Sequence, residues 1–446
     1  MTSDATSYKT ALRALSDELI RIQKPILILD AIKWPHDVEK RFFENGANAL
    51  PTVCREDYLR NNPLSFNAAE IDAQLKNFQQ RLDSALGHGD ALGQILWQTA
   101  EQYRSVVDLL EHRGQKAFLT ASRRLYGSAR DRLRGDSLPL IDMGKRLCSI
   151  FSLPAAHHLA SPYPKVIDAA GAVEMLSQRL KPFFPDTAFT VRETDGIVSD
   201  ASAGGDCIKI NRHAQFSLLD IQVLEVHEGW VHVGTTLNGR RQPWASWLSV
   251  GSPRITALQE GLAVLIETLT FSSFPGRARK ISDRVVAIDI AEQGGDFLDV
   301  YRHFVSQGLS NKESYKIAQR VFRGGMVEGG ACFTKDLSYV RGFVETVNFI
   351  RSAILSDVPE ILPMLFVGKV SLEDVPHLYP YCQEGIIEAP HYLPPMMFRD
   401  LNGLYVWFGL SSGLADINIH SVQEHFQTLF EHLKAAPDAI HSTKCD

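Results

Sequence analysis

Paired cysteines are missing from this sequence. Its six, Cys54, Cys148, Cys207, Cys332, Cys382 and Cys445, lie far apart with no CxxC spacing. That pattern argues against a disulfide framework or a thiolate zinc knot and suits isolated thiols in a reducing compartment. Long apolar runs are missing too: none approaches the ~20 residues that a bilayer-spanning helix needs. The stretch from Met1 to Thr10 is polar, without the charged segment and apolar core of a secretory signal. A cytoplasmic protein with no membrane partner is expected. Basic runs are scarce, and the formal net charge of −6 gives no affinity for polyanions in general, so no nucleic-acid partner is expected. There is no internal repeat and no low-complexity segment.

What is present is ordinary globular material, 446 residues with 45% hydrophobic and 22% charged side chains. This is enough for one large core with additions or for two or three folding units. The first third has helical periodicity. Leu12, Leu15, Leu19 and Ile20 recur at helix spacing within residues Tyr8 to Gln23. Ala68 to Leu86 and Ala91 to Leu110 read as an antiparallel helical pair around Gly87-His88-Gly89, with Asp90 capping the second helix and Gly114 ending it. His157 and His158 follow Pro154 in what reads as a loop, as solvated or packed residues.

From about Ser161 the character changes. Phe189 and Val191, then Ile208 and Ile210, alternate with polar neighbours as short strands. The Asp-, Ser- and Gly-rich stretch between them, ending in Gly204-Gly205, reads as a turn; it lacks a Walker lysine and the dinucleotide fingerprint. Ser217-x-x-Asp220 has capping-box form and opens a helix. After a crossing marked by Pro390, Pro394 and Pro395, Ser421-x-x-Glu424 is expected to cap a last amphipathic helix containing Phe426, Leu429, Phe430 and Leu433. His425 and His432 are then on its solvated face. The expected fold class is α+β, predominantly α. Residues 1–160 are expected to form an N-terminal helical region, and residues 161–446 a second domain with a small β-sheet and a C-terminal helical part.

The helix after Ser217 carries His227-Glu228-Gly229-Trp230-Val231-His232. This is an HExxH-like metallopeptidase string with one extra residue before the second histidine. The extra residue has a geometric consequence. On a regular helix an i,i+4 pair lies within ~40° around the axis, whereas an i,i+5 pair is ~140° apart. Two histidines splayed so widely cannot share a tetrahedral ion. A π-type bulge or an unwound turn between them removes the conflict, with Gly229 easing the distortion. Glu228 would then face the water to be activated, as a general base.

A catalytic zinc needs a third protein ligand and an open position. The best candidate is Glu260, in Gln259-Glu260-Gly261-Leu262-Ala263. Ile255, Leu258, Leu262, Leu265 and Leu269 make an apolar stripe on this helix. Glu260, Ala263, Val264 and Glu267 make a second face, and Gly261 and Ala263 would allow close approach to the histidine helix. A cation explains why a carboxylate should be buried there, and Glu267 is a candidate support for a ligand. Trp230 and Trp244 read as core in preference to an aromatic pocket.

Taken in order, these pieces resemble the QEGLA-motif family of zinc peptidases, which includes the microtubule-associated tyrosine carboxypeptidases and many bacterial relatives. The matching pieces are the His227–His232 string, Asn238-Gly239 with Gln242-Pro243, Gln259 to Ala263, Arg320 to Gly325, and Phe333-Thr334-Lys335-Asp336 with Tyr339 and Gly342. The resemblance spans at least Asp195 to Pro395. It implies a zincin-like core, zinc as cofactor, ligands His227, His232 and Glu260, and Glu228 as catalytic base. It also implies a metallocarboxypeptidase that removes a C-terminal aromatic residue, such as Tyr or Phe, from a peptide or protein. An endopeptidase or aminopeptidase on the same scaffold, or a non-enzymatic regulator with a structural metal, are the alternatives. The sequence has no long basic extension for gripping microtubules, so tubulin is not carried over as substrate. A second Gln-Glu-Gly, at Gln383 to Gly385, is a decoy. An exopeptidase must bind a free carboxylate. Arg320, Arg323 and Lys335 are the expected substrate contacts, and Tyr339 an expected donor to the oxyanion. The oligomeric state is not set by the sequence.

Overall fold

A computed structural model describes residues 2–35, 37–159, 163–185, 189–395, 397–398 and 400–434. Among the described residues helices dominate, with a three-stranded sheet beside them, which is the α+β, mostly α class that the periodicities imply. Among the described residues no helix is long and apolar enough to cross a membrane.

The N-terminal helices follow their apolar spacing. Helix α1 (Thr2–Gln23) buries Leu12, Leu15 and Leu19. Helices α2 (Ala68–Leu86) and α3 (Ala91–Glu111) are capped by Asn67 and by Asp90, whose Oδ1 accepts from Gly93 N–H at 2.7 Å. Their antiparallel pairing is fixed by Arg104 reaching Asp72 at 2.7 Å and Gln79 reaching the Trp97 carbonyl at 3.1 Å. Gly114, at φ +69°, lies in the turn beyond the end of α3. Where the sequence suggested a loop after Pro154, residues Pro154–Leu159 form a short helix with His158 exposed; the side chain of His157 lies outside the described residues.

Helix α4 (Ala169–Leu180) leads into the sheet. Strands β1 (Thr190–Thr194), β2 (Ala201–Gly204) and β3 (Cys207–Asn211) lie in the order β1-β3-β2. β1 runs parallel to β3, with Val191 opposite Ile208, and β2 runs antiparallel to it, with Ala203 opposite Ile208. β2 has no counterpart in the sequence reading. Ala-Ser-Ala-Gly shows neither β-branched residues nor alternation, so only its pairing with β3 makes it a strand. Gly205, at φ +65°, makes the β2–β3 turn in the left-handed region that favours glycine.

Helix α5 (Leu218–Leu224) is opened by the expected capping box: Ser217 Oγ accepts from Asp220 N–H at 3.1 Å, and Asp220 Oδ2 accepts from Ser217 N–H at 2.8 Å. It continues as a π-helical segment, Glu225–Val233, and then as α6 (Gly234–Arg241). Leu176 and Leu180 of α4, Ile208 and Ile210 of β3, and Ile221 and Val233 of this composite helix close one core.

A second core joins α1–α3 to α7 (Thr256–Leu269) and α10 (Ser338–Leu355). A third lies under α8 (Pro275–Glu292) and α9 (Asn311–Phe322), with Val285, Ile288, Tyr315 and Phe322 buried. Helix α7 crosses α10 at close range. A Cβ on Gly261 would sit 2.0 Å from the Gly342 carbonyl carbon, and one on Gly342 would sit 1.8 Å from the Ala257 oxygen. Gly261 thus meets α10, not the histidine helix as the sequence suggested. Asn238 of α6 donates to the Phe366 and Tyr392 carbonyls (2.7 and 2.8 Å) and accepts from the His391 and Tyr392 amides (3.0 and 2.8 Å). Gln242 donates to the Glu388 carbonyl (2.9 Å) and accepts from its amide (2.8 Å). These two amides pin the chain around residues 366–392 against the histidine helix.

Helices α11 (Asn402–Leu414) and α12 (Ile419–Lys434) end the described chain. α12 starts two residues before Ser421, whose N–H donates to Asn418 Oδ1 at 3.2 Å. Asn418, not Ser421, therefore satisfies that end of the helix. His425 is exposed, while the side chains of Leu429, His432 and Leu433 lie outside the described residues.

The tightness of the α7–α10 crossing is measurable. Gly342→Ala should lower unfolding free energy by about 3 kcal/mol, because backbone cannot yield as a flexible side chain can. Gly409→Ala, in α11 where a Cβ would meet no atom within 4 Å, should instead be neutral or stabilise by roughly 0.5–1 kcal/mol. Urea melts of both variants test this; equal effects would show that the crossing is not the constraint.

Candidate metal centre

The extra residue between His227 and His232 is absorbed by the π-helical segment. It widens the turn, and the two imidazoles end with ring centroids 4.8 Å apart on one face. Gly229 lies inside this segment and also makes room for a neighbour. Its backbone is not in the left-handed region; a Cβ there would lie 2.4 Å from Leu180 Cδ2. The glycine lets α4 lie against the widened turn.

Glu260 reaches the histidines from α7. Its Oε2 is 3.3 Å from His227 Nε2 and 3.7 Å from His232 Nε2. The ligand atoms of the three residues all fall within 4.8 Å of one another, and the group could hold a metal ion. The donor set, two imidazole nitrogens and one carboxylate oxygen, fits a zinc-type cation. Glu260 Oε2 is also buried without a hydrogen-bond partner among the described residues, as expected of an oxygen whose natural partner is a cation. Its other oxygen, Oε1, accepts from Lys335 Nζ at 3.1 Å. Burial opposes ionisation of Glu260, but Lys335 and the two histidines outweigh it and hold its pKa well below the ordinary carboxylate value.

Each histidine is oriented by a different partner. His227 Nδ1–H donates to Glu267 Oε1 at 2.6 Å, which realises the supporting carboxylate that the helix face suggested. Glu267 is fully buried and held by Arg277, with Nη2 to Oε1 at 3.0 Å and Nε to Oε2 at 3.3 Å. Burial raises its pKa, but Arg277 and His227 together bring it down to about 2. Arg277, on α8, carries no motif around it and was not legible in sequence. In the metal-free chain burial works against a charged His227. The Glu260 and Glu267 carboxylates overcome it and raise the pKa to about 10.

His232 Nδ1–H instead donates to Gln259 Oε1 at 3.3 Å. That amide oxygen also accepts from Lys369 Nζ at 2.8 Å and Thr235 Oγ1 at 3.0 Å. Lys369 Nζ makes two further bonds, to the His232 carbonyl at 2.9 Å and to Thr235 Oγ1 at 3.0 Å. An amide can turn over and present its NH2. Here that would point N–H donors at the Lys369 donors, so the lysine locks Gln259 with oxygen toward His232. The imidazole then keeps its proton on Nδ1 and leaves Nε2 free for a metal. Lys369 lies 137 residues from His232, beyond any local pattern.

Glu228 is buried beside this group, and its Oε2 accepts from the Ala203 amide of β2 at 2.6 Å. The edge strand thereby fixes the carboxylate. Tyr339 lies near His227, with ring centroids 6.4 Å apart and planes 17° from parallel, and it lines the cleft. Arg320 is engaged by Asp336 in a two-bond fork, 2.6 and 2.9 Å, and Lys335 by Glu260. Arg323 is buried and lines the cleft, and its Nε has no partner among the described residues. The cleft that contains all of these has a volume of about 1370 Å³. Lysines and arginines outnumber aspartates and glutamates in its lining. Gly204 and Gly205 form part of its rim, whereas Trp230 and Trp244 pack on apolar cores outside it. The decoy at Gln383–Gly385 is exposed at the end of a helix that buries Val375 and Leu378, and it does not line the cleft.

A family model described as microtubule-associated tyrosine carboxypeptidase matches residues 40–416, a stretch that includes every residue of this site. No curated protein matches the chain.

Two outcomes are expected of the metal centre. Metal must displace the His227 proton, so apparent zinc affinity should rise with pH, by about tenfold per unit between pH 7.5 and 9. Competition with a chromophoric chelator measures it, and a flat profile would contradict a protonated His227. Lys369→Met should weaken zinc binding roughly 10- to 100-fold. Adding Gln259→Glu should restore most of it, since a carboxylate has no donor to turn toward His232; failure of that rescue would remove the locking role.

Proposed function

Because the chain belongs to the microtubule-associated tyrosine carboxypeptidase family, a family of carboxypeptidase-type peptidases, we propose that it is a zinc-dependent metallocarboxypeptidase. Its substrate in this reading is a peptide or protein C-terminus ending in an aromatic residue. The observation behind the proposal is the convergence of His227, His232 and Glu260 on one point beside Glu228. Residues 161–446 supply a zincin-like catalytic part, braced by the helices of residues 1–160.

His227 and His232 would hold zinc through Nε2, and Glu260 through Oε2. When bound, zinc supplies Lewis acidity, which lowers the pKa of water toward ~7 and polarises a carbonyl. The chain's own groups do the rest. Glu228, steadied by the Ala203 amide, takes the proton of the attacking water at its free carboxylate oxygen and returns it to the leaving amine. The Tyr339 hydroxyl donates to the oxyanion that develops on the scissile carbonyl. Arg320, Arg323 and Lys335 make the wall that receives the terminal carboxylate of the substrate. The excess of cations in the cleft suits such an anionic end, and further acidic residues before it. Lys335 also holds the spare oxygen of Glu260, which keeps that carboxylate presenting a single atom.

The experiment is cleavage of matched peptides with free or amidated C-terminal Phe or Tyr by the zinc-loaded protein, with products read by mass spectrometry. Removal of the last residue from the free acid alone is expected. Glu228→Gln should lower kcat by at least ~10²-fold while zinc stays bound. Equal cleavage of the amidated peptide would sink the carboxypeptidase reading, and full activity in Glu228→Gln would sink the assigned chemistry.

A further inference from the structure

Charge around Asp336 does not balance. Arg320 takes both of its carboxylate oxygens, at 2.6 and 2.9 Å. Arg284 of α8 reaches no nearer than 3.9 Å to the same carboxylate, and its Nη1 is buried with no partner among the described residues. Arg323, 7% exposed, leaves Nε equally unpartnered there. Three guanidinium groups therefore share one acid. The neighbouring Lys335 gives no relief, because its partner Glu260 belongs to the metal group. Burying a cation without an acceptor is costly unless an anion arrives. Both arginines line the cleft.

Aromatic contacts keep these two side chains in place without using their N–H donors. The Arg284 guanidinium carbon lies 4.0 Å from the centroid of the Tyr339 ring, and that of Arg323 lies 5.5 Å from Phe333. Tyr339 in turn neighbours His227 at 6.4 Å. The unpaired donors thus stand on the same wall as the metal group.

We infer that Arg323 and Arg284 together form the subsite for the substrate's terminal α-carboxylate, with Arg320 serving as the Asp336-bound strut that spaces them. A planar carboxylate matches the guanidinium fork. The inference rests on the carboxypeptidase reading and narrows it: it removes Arg320 and Lys335 from direct contact and adds Arg284. Arg284 lies outside the motif pieces of the sequence, and only the fold brings α8 to this wall.

The test uses the full-length, zinc-loaded protein carrying Glu228→Gln, so that binding is read without turnover. Fluorescein-labelled peptides ending in Phe, as free acid and as amide, are titrated by fluorescence polarisation, with inorganic phosphate as a competing oxyanion. The free acid should bind more tightly, and Arg323→Gln or Arg284→Gln should each cut the acid-over-amide ratio roughly 10- to 100-fold. Arg323→Lys, the variant to use if the glutamine form does not fold, should keep part of the ratio. If either glutamine variant weakens acid and amide alike, or leaves the ratio unchanged, the assignment is overturned. Displacement of both peptides by millimolar phosphate with no acid preference would show a general anion site and also overturn it. The broader reading is judged separately: a wild-type protein that trims only free acids, with arginine variants unaffected, keeps the carboxypeptidase and loses this subsite.

Discussion

Two imidazoles five residues apart can meet one cation only where the helix between them is wider than α. The π-helical segment Glu225–Val233 provides that width, and much of the surrounding architecture serves to keep it. Leu180 packs where Gly229 has no side chain. The Ala203 amide holds Glu228 from the sheet side. Asn238 and Gln242 pin the far end of the composite helix to the chain near Tyr392 and Glu388. A π segment is rare in isolation, so its persistence depends on contacts from several elements at once.

The third donor is set by a separate constraint. Glu260 stands opposite the histidines because α7 can sink onto α10 until Gly261 and Gly342 touch. Electrostatics then specialise the buried groups. His227 answers to a carboxylate already tied to Arg277, and His232 to a neutral amide polarised by Lys369. The two histidines thus have unlike Nδ1 partners, a carboxylate and an amide, although they come from one short string. Such outer partners fix ring orientation and the protonated nitrogen as firmly as the ligands define the site.

Beyond the metal group, the cleft is a place of surplus positive charge in a chain whose formal charge is −6. Asp336 neutralises one guanidinium of three, and aromatic rings support the other two. Buried donors left without acceptors in this way are costly.

Whatever short-range physics controls could be read from the residues in order. Apolar spacing placed α2 and α3, capping residues placed Asp90 and Ser217, and the count of five between two histidines demanded a widened turn. Motif order pointed to Glu260, and helix phase to Glu267. The same reading misplaced Gly261's partner, overlooked β2, and started α12 at the wrong residue, because each depends on a neighbour that no local pattern encodes. Arg277, Arg284 and Lys369 were beyond it for the same reason. A lone basic residue has the same signature whether it faces water or a buried acceptor, and only the packing of α8 and of the segment near Val367 decides which.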